Sequence, residues 1–115
     1  MDNGLVILCT APDEPTALRL ARGLVEARLA ACVNITQPIR SVYLWKGEVF
    51  DEVELQLVIK TTRERFESLE TWLSKAHPYD VPEIIALPIT KGSAAYLSWV
   101  RQSVEEGLSS DEGSR

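Results

Sequence analysis

The order of strand-like and helix-like segments, β-α-β-β-α-β, predicts an α+β domain of the ferredoxin-like kind, an antiparallel sheet with a long central hairpin and an added C-terminal helix. Three observations carry that prediction. Residues 49–62 alternate apolar and polar side chains with period two, as a strand with one buried face does. Apolar residues recur at helical spacing in one stretch before that strand and in another after it. Lys46-Gly47 is a turn signal between two strand-like arms.

Each element has its own justification. Residues 5–10 form a short apolar run rich in strand formers, read as the first strand. Asp13-Glu14-Pro15-Thr16 opens a helix, with acids and a proline in the first turn. Ala17, Leu20, Ala21, Leu24 and Val25 continue it to about Leu29. Residues 31–36 read as a second strand that stops at Pro38, and residues 39–45 resume as strand with aromatic and β-branched side chains. On the return arm, Val53, Leu55, Leu57 and Ile59 are expected on one face, and Glu54, Gln56 and Lys60 on the other. Phe66, Leu69, Leu73 and Ala76 mark a second helix that Pro78 stops. Residues 84–89 form a further strand, read as buried, and Tyr96, Trp99, Val100 and Val104 give a C-terminal helix. Residues 1–106 thus make one domain. The acidic, Gly/Ser-containing stretch 107–115 is expected to be disordered.

Composition excludes several function classes. Twelve basic against seventeen acidic residues leave a net charge of −5, the opposite of a nucleic-acid footprint. No apolar run approaches the ~20 residues of a membrane helix, and the N-terminus lacks the pattern of a signal peptide. Cys9 and Cys32 lie in apolar strands without Cys-x-x-Cys spacing, so a reduced, cytoplasmic protein is expected. Neither a Gly-rich phosphate loop nor a nucleophile–base constellation stands out, so a binding protein rather than an enzyme is expected.

Residues 77–83, His-Pro-Tyr-Asp-Val-Pro-Glu, hold the only histidine and two of the six prolines. Proline fixes its own φ and biases the residue before it towards extended backbone. The connector is therefore stiff, and it delivers an imidazole, a phenol and two carboxylates to the start of a strand, where binding residues tend to sit. The hairpin is also longer than so small a sheet needs, each arm reaching ~30 Å. Its free edges invite pairing with a neighbouring chain, and a closed homo-oligomer is expected, with a hairpin curled within a monomer as the alternative.

Together, Ala30-Ala31-Cys32-Val33-Asn34-Ile35, Ser41-x-Tyr43-x-Trp45-x-Gly47, Glu54 with Lys60-Thr61, and His77-Pro78-Tyr79-x-Val81-Pro82-Glu83 resemble the CutA family of divalent-cation tolerance proteins, from about Val6 to Trp99. The resemblance implies a homotrimer knitted together by hairpins and C-terminal helices. It also implies copper binding and a role in tolerance to divalent metals, with metal contact through Cys32 and His77.

The residues themselves read in more than one way. A thiolate and an imidazole suit copper, but two ligands leave a shell incomplete, so Glu83, Asp80, water or another subunit would have to complete it. Cys32 also reads as an inert strand cysteine, and His77 as a helix-terminating residue favoured by the helix dipole. Glu54 and Lys60 either line a cleft between subunits or are simply solvated. Tyr43 and Trp45 read as interface aromatics, and Tyr79 covers a pocket beside His77 or caps the strand. If Glu54, Lys60 and the His77 loop line an intersubunit pocket, the alternative function is a PII-like signal module that binds an anionic metabolite.

Overall fold

The computed structural model describes residues 3–105; the acidic stretch expected over 107–115 lies outside them. The elements run β1 (Gly4–Ala11), α1 (Glu14–Glu26), β2 (Cys32–Ile35), β3 (Ile39–Trp45), β4 (Glu48–Thr62), α2 (Arg63–Ala76), β5 (Ile85–Pro88) and α3 (Ala94–Val104). All strand pairs are antiparallel, and the sheet order is β2-β4-β1-β5, with β3 on β4. This is the ferredoxin-like arrangement the sequence predicts.

β4 organises the sheet. Its C-terminal half lies between β1 and β2, with Leu57 opposite both Cys9 and Ile35. Its N-terminal half pairs with β3 alone, from Glu54 opposite Ile39 to Glu48 opposite Trp45. The register slips by one residue between the β2 and β3 pairings, across the stretch holding Pro38. The hairpin closes through Lys46 (φ 51°) and Gly47 (φ 81°), the two left-handed residues a type I′ turn requires. It projects beyond the helices, and the molecule measures 46 × 26 × 25 Å.

α1 starts where expected. The Asp13 side chain accepts from the Thr16 backbone N–H at 2.8 Å, with Pro15 in the first turn. It ends earlier than its apolar spacing suggests. Arg28 takes a left-handed φ of 58°, its N–H bonds the Val25 carbonyl, and the Leu29 N–H bonds the Leu24 carbonyl. That is a Schellman cap with Arg in place of the usual glycine, so the sequence carries no warning of it. α2 follows β4 without a linker and stops at His77, before Pro78. α1 and α2 press Leu20, Leu24, Leu69 and Leu73 onto Ile7, Leu57 and Ile59, all fully buried.

Two expectations are corrected. Leu55, Leu57 and Ile59 are buried but Val53, in the same alternation, is 63% exposed, because it lies on the hairpin beyond the helices. Glu54, expected on the polar face, is only 6% exposed. β5 is also exposed at all four positions rather than buried. Among the described residues it is an edge strand, paired with β1 alone, and Ile85 and Leu87 stay about half exposed, at 51% and 47%.

The contrast along β4 is testable by chemical denaturation. Leu57→Ala is expected to cost about 2–5 kcal/mol, whereas Val53→Ala, where the hairpin stands clear of the core, should stay within about 0.5 kcal/mol in the single chain. Similar losses at both positions would contradict the placement of the core.

Candidate functional site

The stiff connector between α2 and β5 is pinned by its histidine. His77, 7% exposed, places Nε2 2.7 Å from the Thr10 carbonyl, while the Tyr79 N–H donates to Nδ1 at 3.1 Å. A carbonyl only accepts, so the ring proton is on Nε2 and Nδ1 is the acceptor. The two rings lie 4.7 Å apart between centroids. Tyr79 then extends back across the sheet, its hydroxyl donating to Glu54 Oε2 at 2.7 Å. One chain of hydrogen bonds thus ties the end of β1, the connector and the middle of β4 together.

Between connector and hairpin lies a cleft of about 520 Å³, within the size range of small-ligand sites. Ser41, Val42, Tyr43 and Trp45 of β3 line one side, and Tyr79, Asp80, Val81 and Glu83 the other, with Thr10 and Glu54 also lining it. Tyr43 stacks on Phe50 at 5.4 Å and donates its hydroxyl to Glu52. Every charged lining residue is acidic: Glu54, Asp80 and Glu83. Among the described residues no Lys or Arg pairs with Glu54, so a carboxylate almost wholly removed from water has a phenol as its partner and no counter-charge.

The negative field registers on its neighbours. Burial pushes the Cys9 thiol up to about 12, with the charges of Glu83 and Glu54 adding to it. Cys9 is therefore an inert core thiol at neutral pH. Hydrogen bonding to Glu52, then desolvation, raises the Tyr43 phenol to about 12. Burial first, and then the Glu54 bond, raises that of Tyr79.

Comparison with known proteins identifies the family. Residues 5–103 match the family model described as CutA1 divalent ion tolerance protein. The chain belongs to the CutA1 family. It is 49% identical over 98 residues to the divalent-cation tolerance protein CutA of Thermus thermophilus, covering 85% of this chain and 95% of that one. The solved structure of a Thermus thermophilus divalent cation tolerance protein superposes with a TM-score of 0.86 at 47% identity, covering 89% of this chain and 99% of that one. The Archaeoglobus fulgidus CutA, described as periplasmic, superposes with the same TM-score at 37% identity, covering 89% of this chain and 99% of that one.

Against this CutA1 fold, the residues singled out in the sequence divide into two groups. Tyr43, Trp45, Glu54, Tyr79 and Glu83 converge on the cleft. Lys60 does not: it lies six residues along β4 from Glu54, ~20 Å away, and its Nζ bonds the Asn34 side chain. Cys32, half-buried, opens β2 opposite Lys60, whereas Thr10, which holds His77, is opposite Gln56 on the other edge of β4. Strand rise and spacing put those two backbone positions roughly 16 Å apart. Sulfur and imidazole therefore do not meet within one chain. Among the described residues no three His, Cys, Asp or Glu side chains group closely enough to hold a metal ion.

Thr10, which lines the cleft, and Glu52, which accepts from the cleft residue Tyr43, are residues that the sequence does not single out. Thr10 acts through a backbone carbonyl, which leaves no signal in residue type. Glu52 is legible in principle, since Glu52 and Glu54 are spaced by two, as are Ser41, Tyr43 and Trp45, and period two puts each set on one face of the hairpin.

Two outcomes test the site. His77→Ala strands a buried carbonyl and frees the connector, so it is expected to lower stability by about 1–3 kcal/mol in denaturant titration. A pure ligand role would leave stability unchanged. In a spectrophotometric titration, Tyr43 should stay largely protonated at pH ~10, where an ordinary tyrosine is half ionised, and ionise near pH about 12. A phenol raised in the folded state stabilises fully below its unfolded value, and that stability is lost as pH climbs to the folded one. Glu52→Gln should bring the Tyr43 titration back towards the ordinary value, and an unchanged curve would refute the pairing.

Proposed function

We propose that the protein is a homotrimer whose clefts bind divalent cations, copper among them, and that it takes part in the response to metal ions as a binding protein rather than an enzyme. The observation that carries this reading is Glu54, buried in a cleft whose charged residues are all acidic and, among the described residues, left without a basic partner. A buried carboxylate is expensive unless a positive charge accompanies it, so the cleft suits a cation. That sign argues against an anionic metabolite. The cytoplasmic setting expected from two free thiols goes with this reading.

Copper prefers nitrogen and sulfur to carboxylate oxygen alone. Cys32, the thiol outside the core, stands away from the cleft within one subunit, so a mixed site with Glu83 would have to be completed across subunits, and His77 could join it only by releasing one of its two ring hydrogen bonds. Support for assembly comes from the hairpin. Arg40, Val42, Leu44, Val49, Asp51 and Val53 share one of its faces, where Arg40 bridges Asp51 at 2.8 Å and the four aliphatic residues are 63–73% exposed. An apolar stripe of that kind marks an interface. The β1-free edge of β4 along the hairpin and the outer edge of β5 offer backbone for pairing.

Native mass spectrometry is expected to give three times the 12.8 kDa of one chain, and Leu44→Asp with Val49→Asp to give single-chain mass. Calorimetric titration with Cu(II) should show binding roughly tenfold or more weaker in Glu54→Gln. Undiminished affinity in that variant, with loss only in Cys32→Ser, would move the site out of the cleft.

A further inference from the structure

Thr62 is the N-cap of α2, yet its side chain makes no capping hydrogen bond. The helix start is closed by a residue distant in sequence. Asn3 accepts the Arg63 N–H on its backbone carbonyl at 2.8 Å, and its Nδ2 donates to Glu64 Oε1 at 2.7 Å. Arg63 N–H is one of the four amides that a helix start leaves without an internal partner. The cap is held from one side only. Among the described residues Asn3 Oδ1 is buried and accepts no hydrogen bond, a cost that a fully paired amide does not carry.

The next residue is glycine. Gly4 opens β1, and a Cβ there would lie 3.2 Å from Ile89 Cδ1 and 3.7 Å from Leu97 Cδ2, so close packing favours glycine at that place. Without a side chain, the Gly4 amide nitrogen is unscreened towards the Asn3 side chain. Asn34, the other asparagine of the chain, precedes Ile35, whose β-branch screens the corresponding nitrogen. Asparagine is a thermolabile residue, and the ends of elements open more readily than their centres.

We propose that Asn3-Gly4 is a site of spontaneous deamidation, a modification that removes the cap of α2. The Gly4 amide nitrogen gives up its proton and attacks Asn3 Cγ, closing a succinimide. The Cγ–Nδ2 bond breaks, and Nδ2 leaves as ammonia with that proton. Water then opens the ring. Attack at Cγ restores the original backbone and leaves aspartate. Attack at the backbone carbonyl carbon breaks its bond to the Gly4 nitrogen and leaves isoaspartate, whose chain runs through Cγ. Aspartate sets a carboxylate against that of Glu64 where Nδ2 had donated, and like charges so placed repel. Isoaspartate lengthens the main chain by a methylene, so the contacts to Arg63 and Glu64 cannot both return.

The test is incubation of the intact protein in mildly alkaline buffer, followed by mass spectrometry of the tryptic fragment 1–19 and enzymatic methyl labelling of isoaspartate. Conversion at Asn3 is expected, with isoaspartate the larger product, slower than in the free peptide Met-Asp-Asn-Gly-Leu and absent at Asn34 over the same period. Glu64→Ala, at an exposed position, removes the side-chain partner and should speed conversion roughly fivefold or more. Asn3→Asp, which reproduces one product, should speed hydrogen exchange in the first turn of α2 by a similar factor. No conversion of the folded protein over a period that exhausts the peptide, equal conversion at Asn34, or an unchanged rate in Glu64→Ala overturns the proposal. Unchanged exchange in Asn3→Asp overturns the loss of the cap.

Discussion

The long strand β4 has two environments to satisfy, and most of the molecule follows from that. Over its C-terminal half it is a central strand with neighbours on both edges and helices over one face, and its alternate residues are the deepest of the core. Past Leu55, where β1 ends at Ala11, it has only β3 beside it. At ~3.3 Å per residue its fifteen residues span nearly the whole long axis of the molecule. Because the strand is continuous, the direction of the hairpin is set by the core rather than by the turn at its tip. Glu54 falls at the junction, the last position before the helices give out.

That junction is where the connector folds back, and the cost of the arrangement is concentrated there. A carboxylate is covered by a tyrosine, the tyrosine is held by a histidine, and the histidine is anchored on a strand carbonyl. Each link satisfies a polar group that would otherwise be buried without a partner. The chain of hydrogen bonds offsets part of the desolvation of Glu54 but brings no positive charge to it. Stability alone would favour an apolar residue or an arginine partner at such a place. A protein that keeps an unaccompanied acid beside an open cleft has a local conflict of the sort that collects at functional sites.

Much of this was legible in the sequence, because the signals were periodic or conformational. Period two gave β4, helical spacing gave α1 and α2, and the prolines at 78 and 82 marked the connector. What the sequence hid depended on neighbours far along the chain. Val53 and Leu57 belong to one alternation, yet only the placement of the helices separates an exposed valine from a buried leucine. Residues 85–88 are as apolar as a buried strand, and their position at a sheet edge cannot be read from composition. The ring of His77 looked available as a ligand until Thr10, distant in sequence, engaged one nitrogen and its own connector the other. In the same way Cys32 and His77, both metal contacts in what the family resemblance implies, fall on opposite edges of β4 because the sheet order interposes that strand.

The hairpin's two faces carry opposite chemistry, and alternation along β3 and β4 makes them inseparable. One face is aromatic and acidic, with Tyr43, Trp45, Phe50, Glu52 and Glu54; the other is aliphatic, with Val42, Leu44, Val49 and Val53. A one-residue slip in the register of β3 would exchange the faces and turn aliphatic side chains into the cleft. The left-handed pair Lys46 and Gly47 fixes that register at the tip, and the slip near Pro38 fixes it at the base. In the proposed trimer, a partner that covers the aliphatic face holds the hairpin stiff, and with it the aromatic wall of the cleft. Binding and assembly are then two readings of one register, so a change on the aliphatic face reaches the cleft through the backbone they share.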